Sequence, residues 1–229
     1  MAIFYSTEIS HNYIYLKQDE HIHCTKVLRN QTGAAIKITD GKGHLYSCII
    51  ESISKVETIC HIENVEKQPQ PTYLSSIAIS PLKNPARLEW FVEKAIEIGI
   101  SELYVFIADR TEKKVVNKER LEKIIISAMK QSLNFSLPTF NIINSFTDLL
   151  LKCEKYEGKY FAWCEGNPDL LIKIKDNQKN NIVLIGPEGD FTNEEATIAI
   201  RQGWTIVSLG DSRLRTETAG IVALTILKY

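Results

Sequence analysis

The stretch from Ile182 to Ala219 constrains the fold more than any other part of the sequence. The apolar run Ile182–Ile185 has the length and composition of a buried parallel strand. It ends in the segment Gly186–Gly189, which continues neither a helix nor a strand. Thr192 follows, three residues before Glu195, and this is the spacing of a capping box that opens a helix. The order of strand, glycine loop and helix predicts an α/β unit.

The same order recurs before residue 219. Gly203 closes the first helix, Thr205–Leu209 has the pattern of a second strand, and Gly210 breaks that strand. Leu214–Ala219 then leads into a final apolar helix. Both glycine loops follow the carboxyl end of a strand, the edge at which open α/β sheets bind ligands. A glycine after a strand is often only a plain turn, but a glutamate between two glycines and the run RTET are more polar than a turn requires.

Strands and helices alternate through the rest of the second half. Predicted strands cover residues 76–80, 103–108 and 159–164, and predicted helices run from Pro85 to Gly99, over 121–132, and from Phe146 to Tyr156 with Ser145 as N-cap. This alternation predicts a mainly parallel sheet with helices on both faces, over residues 71–229.

Residues 1–70 have the pattern of a small β-barrel. Alternating runs at 35–39 and 45–50 flank the turn signal Asp40–Gly43, and 56–62 is a further strand. A helical segment is expected over His21–Arg29. The proline-rich run Lys67–Pro71 has no periodicity, so the domain boundary is placed there.

Composition narrows the class of protein. The chain has 229 residues, 44% of them hydrophobic, and a net charge of −1, so any affinity for nucleic acid must come from local patches. Five scattered cysteines without a CxxC pair indicate reduced thiols in a cytoplasmic protein. His21-x-His23-Cys24 has no second ligand cluster, so no metal is expected. The sequence shows no signal peptide and no apolar run near the ~20 residues that span a bilayer, so no membrane contact is expected.

IGPEGDF, followed by LG and LRTETA, resembles the signature of the SPOUT-class methyltransferases that methylate N3 of a specific uridine in 16S ribosomal RNA, the ribosomal RNA small subunit methyltransferase E family. HIHCTKVLR (21–29), KAIEIG (94–99), ERLEKIIISAMKQS (119–132) and Pro138 stand in the family's order, over nearly the whole chain. The resemblance implies a parallel-sheet methyltransferase domain with a C-terminal trefoil knot, preceded by a PUA-like β-barrel that binds RNA. It also implies a homodimer that acts on 16S rRNA of the 30S subunit.

The resemblance places the methyl donor, S-adenosylmethionine, in the glycine loops. Glycines there let the main chain approach the adenine and ribose closely. The implied cofactor contacts are Ile185, Gly186, Pro187, Glu188, Gly189, Leu209, Gly210, Leu214, Arg215, Thr216, Thr218 and Ala219. For the two leucines alone, core packing is an equal alternative.

The chemistry implied is direct displacement, in which a ring nitrogen attacks the sulfonium methyl group. N3 of uracil must lose a proton, so a base or a cation that stabilises the uracil anion would help. Arg215 is the expected cation because its guanidinium stays charged. Glu217 is expected to orient Arg215 or to accept the proton, with Glu188 as the second candidate. Alternatively, Glu217 only complements a helix dipole.

RNA contacts need local positive charge. Seven Lys or Arg between residues 110 and 134 face three Glu, an excess of four. The expected RNA-binding residues are Lys26, Arg29, Arg110, Lys113, Lys114 and Gln131. The alternative is that such pairs as Glu119 and Lys123 only decorate a solvated helix face.

Three positions depart from the family pattern. Asn134 and Ser212 stand where many members carry Arg, and Asp190 replaces the second glycine of GPEGG. These departures bear on the RNA-facing contacts. Two other functions stay open: a SPOUT methyltransferase acting on another RNA, such as tRNA, and a non-catalytic RNA-binding assembly factor. Neither GxGxxG after an early strand nor GK[ST] is present, which disfavours dinucleotide and P-loop enzymes.

Overall fold

A computed structural model describes residues 2–164, 166, 168–177 and 179–229. The chain divides into two compact units, Met1–Gln70 with Ile126–Leu137, and Pro71–Ile125 with Pro138–Tyr229. The boundary predicted from sequence assigns residues 126–137 to the second domain. The structure joins them to the first unit, where Phe135 O accepts a hydrogen bond from Gly43 N and Leu137 N donates one to Gly41 O, both 2.8 Å long.

The first unit holds a mixed sheet in the order β1-β4-β5-β6-β3-β2, within which β1 and β4 run parallel and the other pairs antiparallel. Its strands are β1 Ile3–Tyr5, β2 Ile9–Ser10, β3 Tyr13–Lys17, β4 Ala35–Thr39, β5 His44–Ile53 and β6 Glu57–Lys67. The helical segment predicted near His21 comprises α1, Gln18–Ile22, which continues as a wider π-helical turn over His23–Val27.

One serine draws the two sides of this sheet together. Ser6 N donates to Thr39 O beside β1, and Ser6 Oγ donates to Tyr15 O in β3, at 3.0 and 2.6 Å. Because β1 lies at one edge and β3 next to the other, the sheet is rolled around its buried face. That face carries Phe4, Ile14, Leu16, Cys24, Ile36, Ile38, Cys48, Ile50 and Cys60.

The second unit holds a sheet in the order β12-β10-β11-β7-β8-β9, in which every described pair runs parallel. Its strands are β7 Ser75–Ile79, β8 Glu102–Phe106, β9 Thr139–Ile143, β10 Gly158–Ala162, β11 Asn181–Ile185 and β12 Thr205–Val207. All residues of β7, β8 and β11 are buried, as expected when helices cover both faces.

The helices begin and end where local chemistry dictates. They are α2 Pro85–Ile98, α3 Lys118–Gln131, α4 Phe146–Lys152, α5 Leu171–Ile174, α6 Asn193–Arg201 and α7 Thr216–Lys228. Ser145 caps α4, Gly99 ends α2 in the left-handed conformation, and Thr192 with Glu195 forms the predicted capping box of α6. The C-terminal part of α3 belongs to the first unit.

Several predicted bounds were wrong. Helix α4 ends at Lys152 rather than at Tyr156, whose hydroxyl donates to buried Glu102 at 2.8 Å. Strand β12 ends at Val207 rather than at Leu209, since Ser208 pairs instead with Leu170. Strand β10 ends at Ala162 rather than at Cys164. Strand β9 and helix α5 were not predicted.

Candidate active site

The position of the candidate site follows from the common direction of the strands. Because the strands are parallel, the loops after β7, β8, β10, β11 and β12 all leave at one edge. The predicted cofactor segments are the β11 loop, Gly186–Phe191, and the β12 loop, Ser208–Arg215. They therefore leave the same edge of the same sheet.

Phe191 explains why the β11 loop begins with glycine. Its ring is buried and lies 4.2 Å, centroid to centroid, from the ring of Phe161. A Cβ on Gly186 would stand only 2.9 Å from the Phe191 ring. Gly186 therefore lets the loop turn back over its own phenylalanine.

Asp190 explains one departure from the family pattern. Its φ is +58°, a region that favours glycine but that aspartate also tolerates. Its Oδ1 accepts a hydrogen bond from Phe191 N at 2.8 Å, and its Oδ2 accepts one from Cys164 N at 3.3 Å. The side chain thus ties the β11 loop to the segment after β10.

Glu188 and Gly189 are exposed at the tip of the β11 loop. Glu188 Oε1 accepts a hydrogen bond from Lys83 N, in the segment after β7, at 2.9 Å. This bond occupies one carboxylate oxygen of the second proton-acceptor candidate. A Cβ on Gly189 would meet Arg110 Cβ at 3.5 Å, an ordinary contact.

Arg110 lies where a phosphate contact was expected, but its guanidinium faces the β11 loop. Nη1 donates to Gly189 O and to Phe191 O, both at 3.0 Å. Sequence reasoning missed this role and that of Lys83. Both residues follow the carboxyl ends of strands β8 and β7, so a parallel-sheet prediction contained the signal that could have found them.

The β12 loop has a different character. Gly210 has a φ of +142° and nothing described within 4 Å of an added Cβ. Ser208 Oγ donates to Gly210 O and accepts from Gly210 N, at 3.1 and 3.2 Å. Residues 210–213 are exposed, and Leu209 and Leu214 are half-buried. Burial and the neighbouring carboxylate of Asp190 raise the pKa of Cys164, and the positive charge of Arg213 in the β12 loop opposes that rise.

Helix α7 begins with the predicted chemical residues. Arg215 is exposed, and its side chain makes neither a hydrogen bond nor an ion pair with any described residue. Thr216 is buried, and Thr218 and Ala219 are half-buried. The next acidic side chain, Glu217, is 10% exposed.

Glu217 pairs with Arg87 of α2, not with Arg215 as one hypothesis proposed. Arg87 Nε lies 3.7 Å from Glu217 Oε1. Glu217 Oε2 is buried without a hydrogen-bond partner in the described part of the chain. An unpaired buried oxygen is costly, so a donor from water, a ligand or a partner chain would be stabilised there. Arg87 is a functional candidate that the motif alone did not reveal.

The expected RNA-binding residues fall in both units. In the first unit, Lys26 and Arg29 are exposed beside exposed Val27 and Leu28, and Gln131 is exposed at the end of α3. In the second unit, Lys113 and Lys114 are exposed in the segment before α3. All of these side chains are open to solvent in their own units.

Other features of the surface do not add to the site. A pocket of about 40 Å³ is lined by residues such as Leu82, Leu88 and Val116 and by none of the predicted cofactor residues. No three His, Cys, Asp or Glu side chains among the described residues are grouped to hold a metal ion. In the described part of the chain, no helix combines the length and apolar composition needed to cross a membrane.

Comparison with known proteins adds independent findings. A family model described as an RNA methyltransferase domain matches residues 68–228, and one described as an RNA methyltransferase PUA domain matches residues 16–63. The ribosomal RNA small subunit methyltransferase E of Mesomycoplasma hyopneumoniae (strain 232) is 28% identical over 214 residues, covering 87% of this chain and 92% of that protein.

Solved structures agree with the fold. A probable rRNA-methyltransferase from Porphyromonas gingivalis has 34% identity and a TM-score of 0.90, covering 98% of this chain and 96% of that one. The ribosomal RNA small subunit methyltransferase E from Neisseria gonorrhoeae, bound to S-adenosyl methionine, has 23% identity and a TM-score of 0.85, covering 98% and 95%.

Proposed function

The chain belongs to the ribosomal RNA small subunit methyltransferase E family, and from this membership we propose that it methylates N3 of one uridine in 16S rRNA with S-adenosylmethionine as methyl donor. The observation that carries the proposal is the sheet edge from which the glycine loops of β11 and β12 leave, the second of which leads into α7. That edge presents open backbone at Gly210, and it presents an arginine and a buried carboxylate oxygen that make no hydrogen bond with any residue the structure describes. Because the substrate is ribosomal RNA, the reaction belongs in the cytoplasm.

The cofactor residues are proposed to be those of Ile185–Gly189, Leu209–Gly210 and Leu214–Ala219. Support comes from Gly210, whose open surroundings leave room for a ligand against the main chain. When bound, the sulfonium supplies an electrophilic methyl group. The protein's part is to hold the target base in line with that methyl and to exclude water.

The proton from uracil N3 is assigned to Glu217. Its Oε1 faces Arg87, and its Oε2 makes no hydrogen bond with a described residue. Oε2 is therefore free to accept a hydrogen bond from the ring N–H once substrate binding uncovers it. Arg215 is assigned to the uracil oxygens, where negative charge develops as the proton leaves. Among the described residues, its guanidinium has no hydrogen bond or ion pair that would have to break first.

RNA contacts are proposed for Lys26, Arg29, Lys113, Lys114 and Gln131. Phosphates would meet the cations, and Val27, 64% exposed next to Lys26, offers apolar surface to an unstacked base. The first unit is therefore proposed to be the RNA-binding domain.

A homodimer is also proposed. Helix α7 is apolar on several sides: Ile221, Val222 and Ile226 are only half-buried, and Trp90 of α2, the helix packed on α7, is 45% exposed. Such surface is usually covered by a partner. Light scattering coupled to size exclusion should give twice the mass of the chain, and a monomer at micromolar concentration would contradict this assignment.

A trefoil knot is proposed on the strand order. Strand β11 lies between β7 and β10, although β10 precedes it in the chain. A chain that inserts β11 between two strands formed earlier in the sequence, β7 and β10, has an order that is consistent with a knotted path. A crystal structure traced through residues 163–216 is the measurement that checks it.

The function is tested by methyl transfer. Purified protein, labelled S-adenosylmethionine and 30S subunits from a strain lacking the protein should yield 3-methyluridine in 16S rRNA, detected by mass spectrometry of digested nucleosides. Label in tRNA instead would favour the other RNA substrate. Cofactor binding and transfer absent from every RNA, with 30S binding retained, would favour the assembly factor.

A further inference from the structure

Arg110 makes an unusual set of contacts for a surface cation. Its Nη1 donates at 3.0 Å to two main-chain carbonyls of the β11 loop, Gly189 O and Phe191 O. Hydrogen bonds from a charged donor are roughly twice as strong as neutral ones. One guanidinium therefore fixes the orientation of two peptide groups on either side of Asp190.

The backbone that carries Arg110 is itself held on both sides. Asp109 N donates to Glu195 Oε1 at 3.0 Å, and Glu195 is buried and belongs to the capping box of α6. Thr111 Oγ1 accepts a hydrogen bond from Ala108 N at 2.9 Å and lies 2.7 Å from Ser80 Oγ. The main chain at Arg110 is thus held by hydrogen bonds, which suits this side chain to hold the β11 loop in one conformation.

Two nearby lysines differ from Arg110 in this respect. Lys113 and Lys114 are exposed, and neither makes a hydrogen bond or ion pair with a residue the structure describes. Their charge is available to a phosphate, while that of Arg110 is directed at carbonyl groups. The basic segment after β8 therefore contains one cation that is bonded to main-chain carbonyls and two that are free to meet other groups.

We propose that Arg110 is a positioning residue for the cofactor, which sets the peptide planes of the β11 loop, rather than an RNA contact. The proposal rests on the proposed function, because it assumes that this loop holds S-adenosylmethionine. The N–H groups of the same two peptides, those of Asp190 and Thr192, donate to Pro187 O and Glu195 Oε2, both at 2.9 Å. Without Arg110 the carbonyl side of each peptide would lose its partner, and the main chain of the β11 loop could shift from the conformation that holds the ligand. Loss of Arg110 should then weaken cofactor binding and leave RNA binding nearly unchanged.

The test compares Arg110→Lys with Lys113→Gln. Lysine keeps the positive charge but lacks the planar fork, so a purely electrostatic RNA role would survive the first change. Calorimetry should show the dissociation constant for S-adenosylmethionine rising about tenfold in Arg110→Lys, with RNA affinity within about twofold of wild type. Lys113→Gln should show the reverse pattern. Thermal unfolding checks that both variants remain folded.

A second measurement does not depend on ligand. Hydrogen–deuterium exchange of residues 186–191 should be faster in Arg110→Lys than in wild type or Lys113→Gln. Should Arg110→Lys fail to fold, Arg110→Gln is measured in the same way. Unchanged cofactor affinity and unchanged exchange, with weakened RNA binding, would overturn the proposal. A wild-type protein that binds no S-adenosylmethionine would remove the proposed function itself, a result visible before any variant is compared.

Discussion

The β11 loop and the β12 loop leave the same edge of the sheet but are held in different ways. The first is bonded by three neighbouring segments: Lys83 N to Glu188, Arg110 to Gly189, and Cys164 N to Asp190. In the second, Ser208 bonds to Asp169 and Leu171 where the loop begins, but the described hydrogen bonds of Gly210 are local ones to Ser208.

The difference separates two tasks. A loop whose shape is fixed before binding loses little entropy when a ligand arrives, so it suits recognition of an unvarying cofactor. A loop with room around it can adjust to a larger substrate. The β12 loop ends at Arg215, whose side chain pairs with none of the described residues. The proposed chemistry therefore lies at the junction between the β12 loop and helix α7.

The largest effect is expected at that junction. Arg215→Ala should lower the single-turnover rate of methyl transfer by at least about 100-fold, because a group that stabilises developing charge is lost. Cofactor affinity should change by less than about threefold. Arg213→Ala, two residues away on the same exposed loop, is the matched control. An unchanged rate in Arg215→Ala would remove this residue from the mechanism.

The β11 loop should respond to an added methyl group according to position. Gly186→Ala should lower the free energy of unfolding by about 1–3 kcal/mol, because its Cβ would stand 2.9 Å from the Phe191 ring. Gly189→Ala adds the same group in ordinary contact with Arg110 and should stay within about 0.5 kcal/mol of wild type. Urea midpoints measure both.

Cofactor affinity in a variant of the β11 loop tests whether this loop holds the ligand. Gly189→Val should weaken S-adenosylmethionine binding by about tenfold or more while the protein stays folded, because the branched side chain would press on Arg110, which bonds the carbonyls of this loop. If the affinity for S-adenosylmethionine is unchanged in Gly189→Val, the β11 loop does not hold the cofactor, and the division of tasks between the two loops is wrong.

Local sequence was sufficient for much of this architecture. The capping box of Thr192 and Glu195, the cap at Ser145 and the stop at Gly99 are made by residues within a few positions of one another, and all three were predicted correctly. Glycine in the two loops was also visible because each lies directly after an apolar strand.

Contacts distant in sequence were not accessible in this way. Arg110 and Gly189 are separated by 79 positions, and the partner of Glu217 is Arg87, on a helix packed against α7. A charge count assigns both arginines to solvent or RNA, because it contains no information about which strand lies beside which. Strand β9, with a half-exposed pattern, gave too weak a periodic signal.

The smallest effect is expected when a positive charge is added to the β12 loop. Ser212→Arg restores the residue that many family members carry, and Ser212 is exposed, so the new side chain displaces nothing described. One extra phosphate contact should raise RNA affinity about two- to fivefold at low salt and steepen its salt dependence by about 0.7 on a log–log plot. Ser212→Gln, of similar reach but neutral, should do neither. The same charge placed on the β11 loop by Asp190→Arg would remove the hydrogen bonds from Phe191 N and Cys164 N, and it should weaken cofactor binding instead. If filter binding over a salt series shows no gain for Ser212→Arg, RNA does not pass over the β12 loop, and the openness of that loop needs another cause.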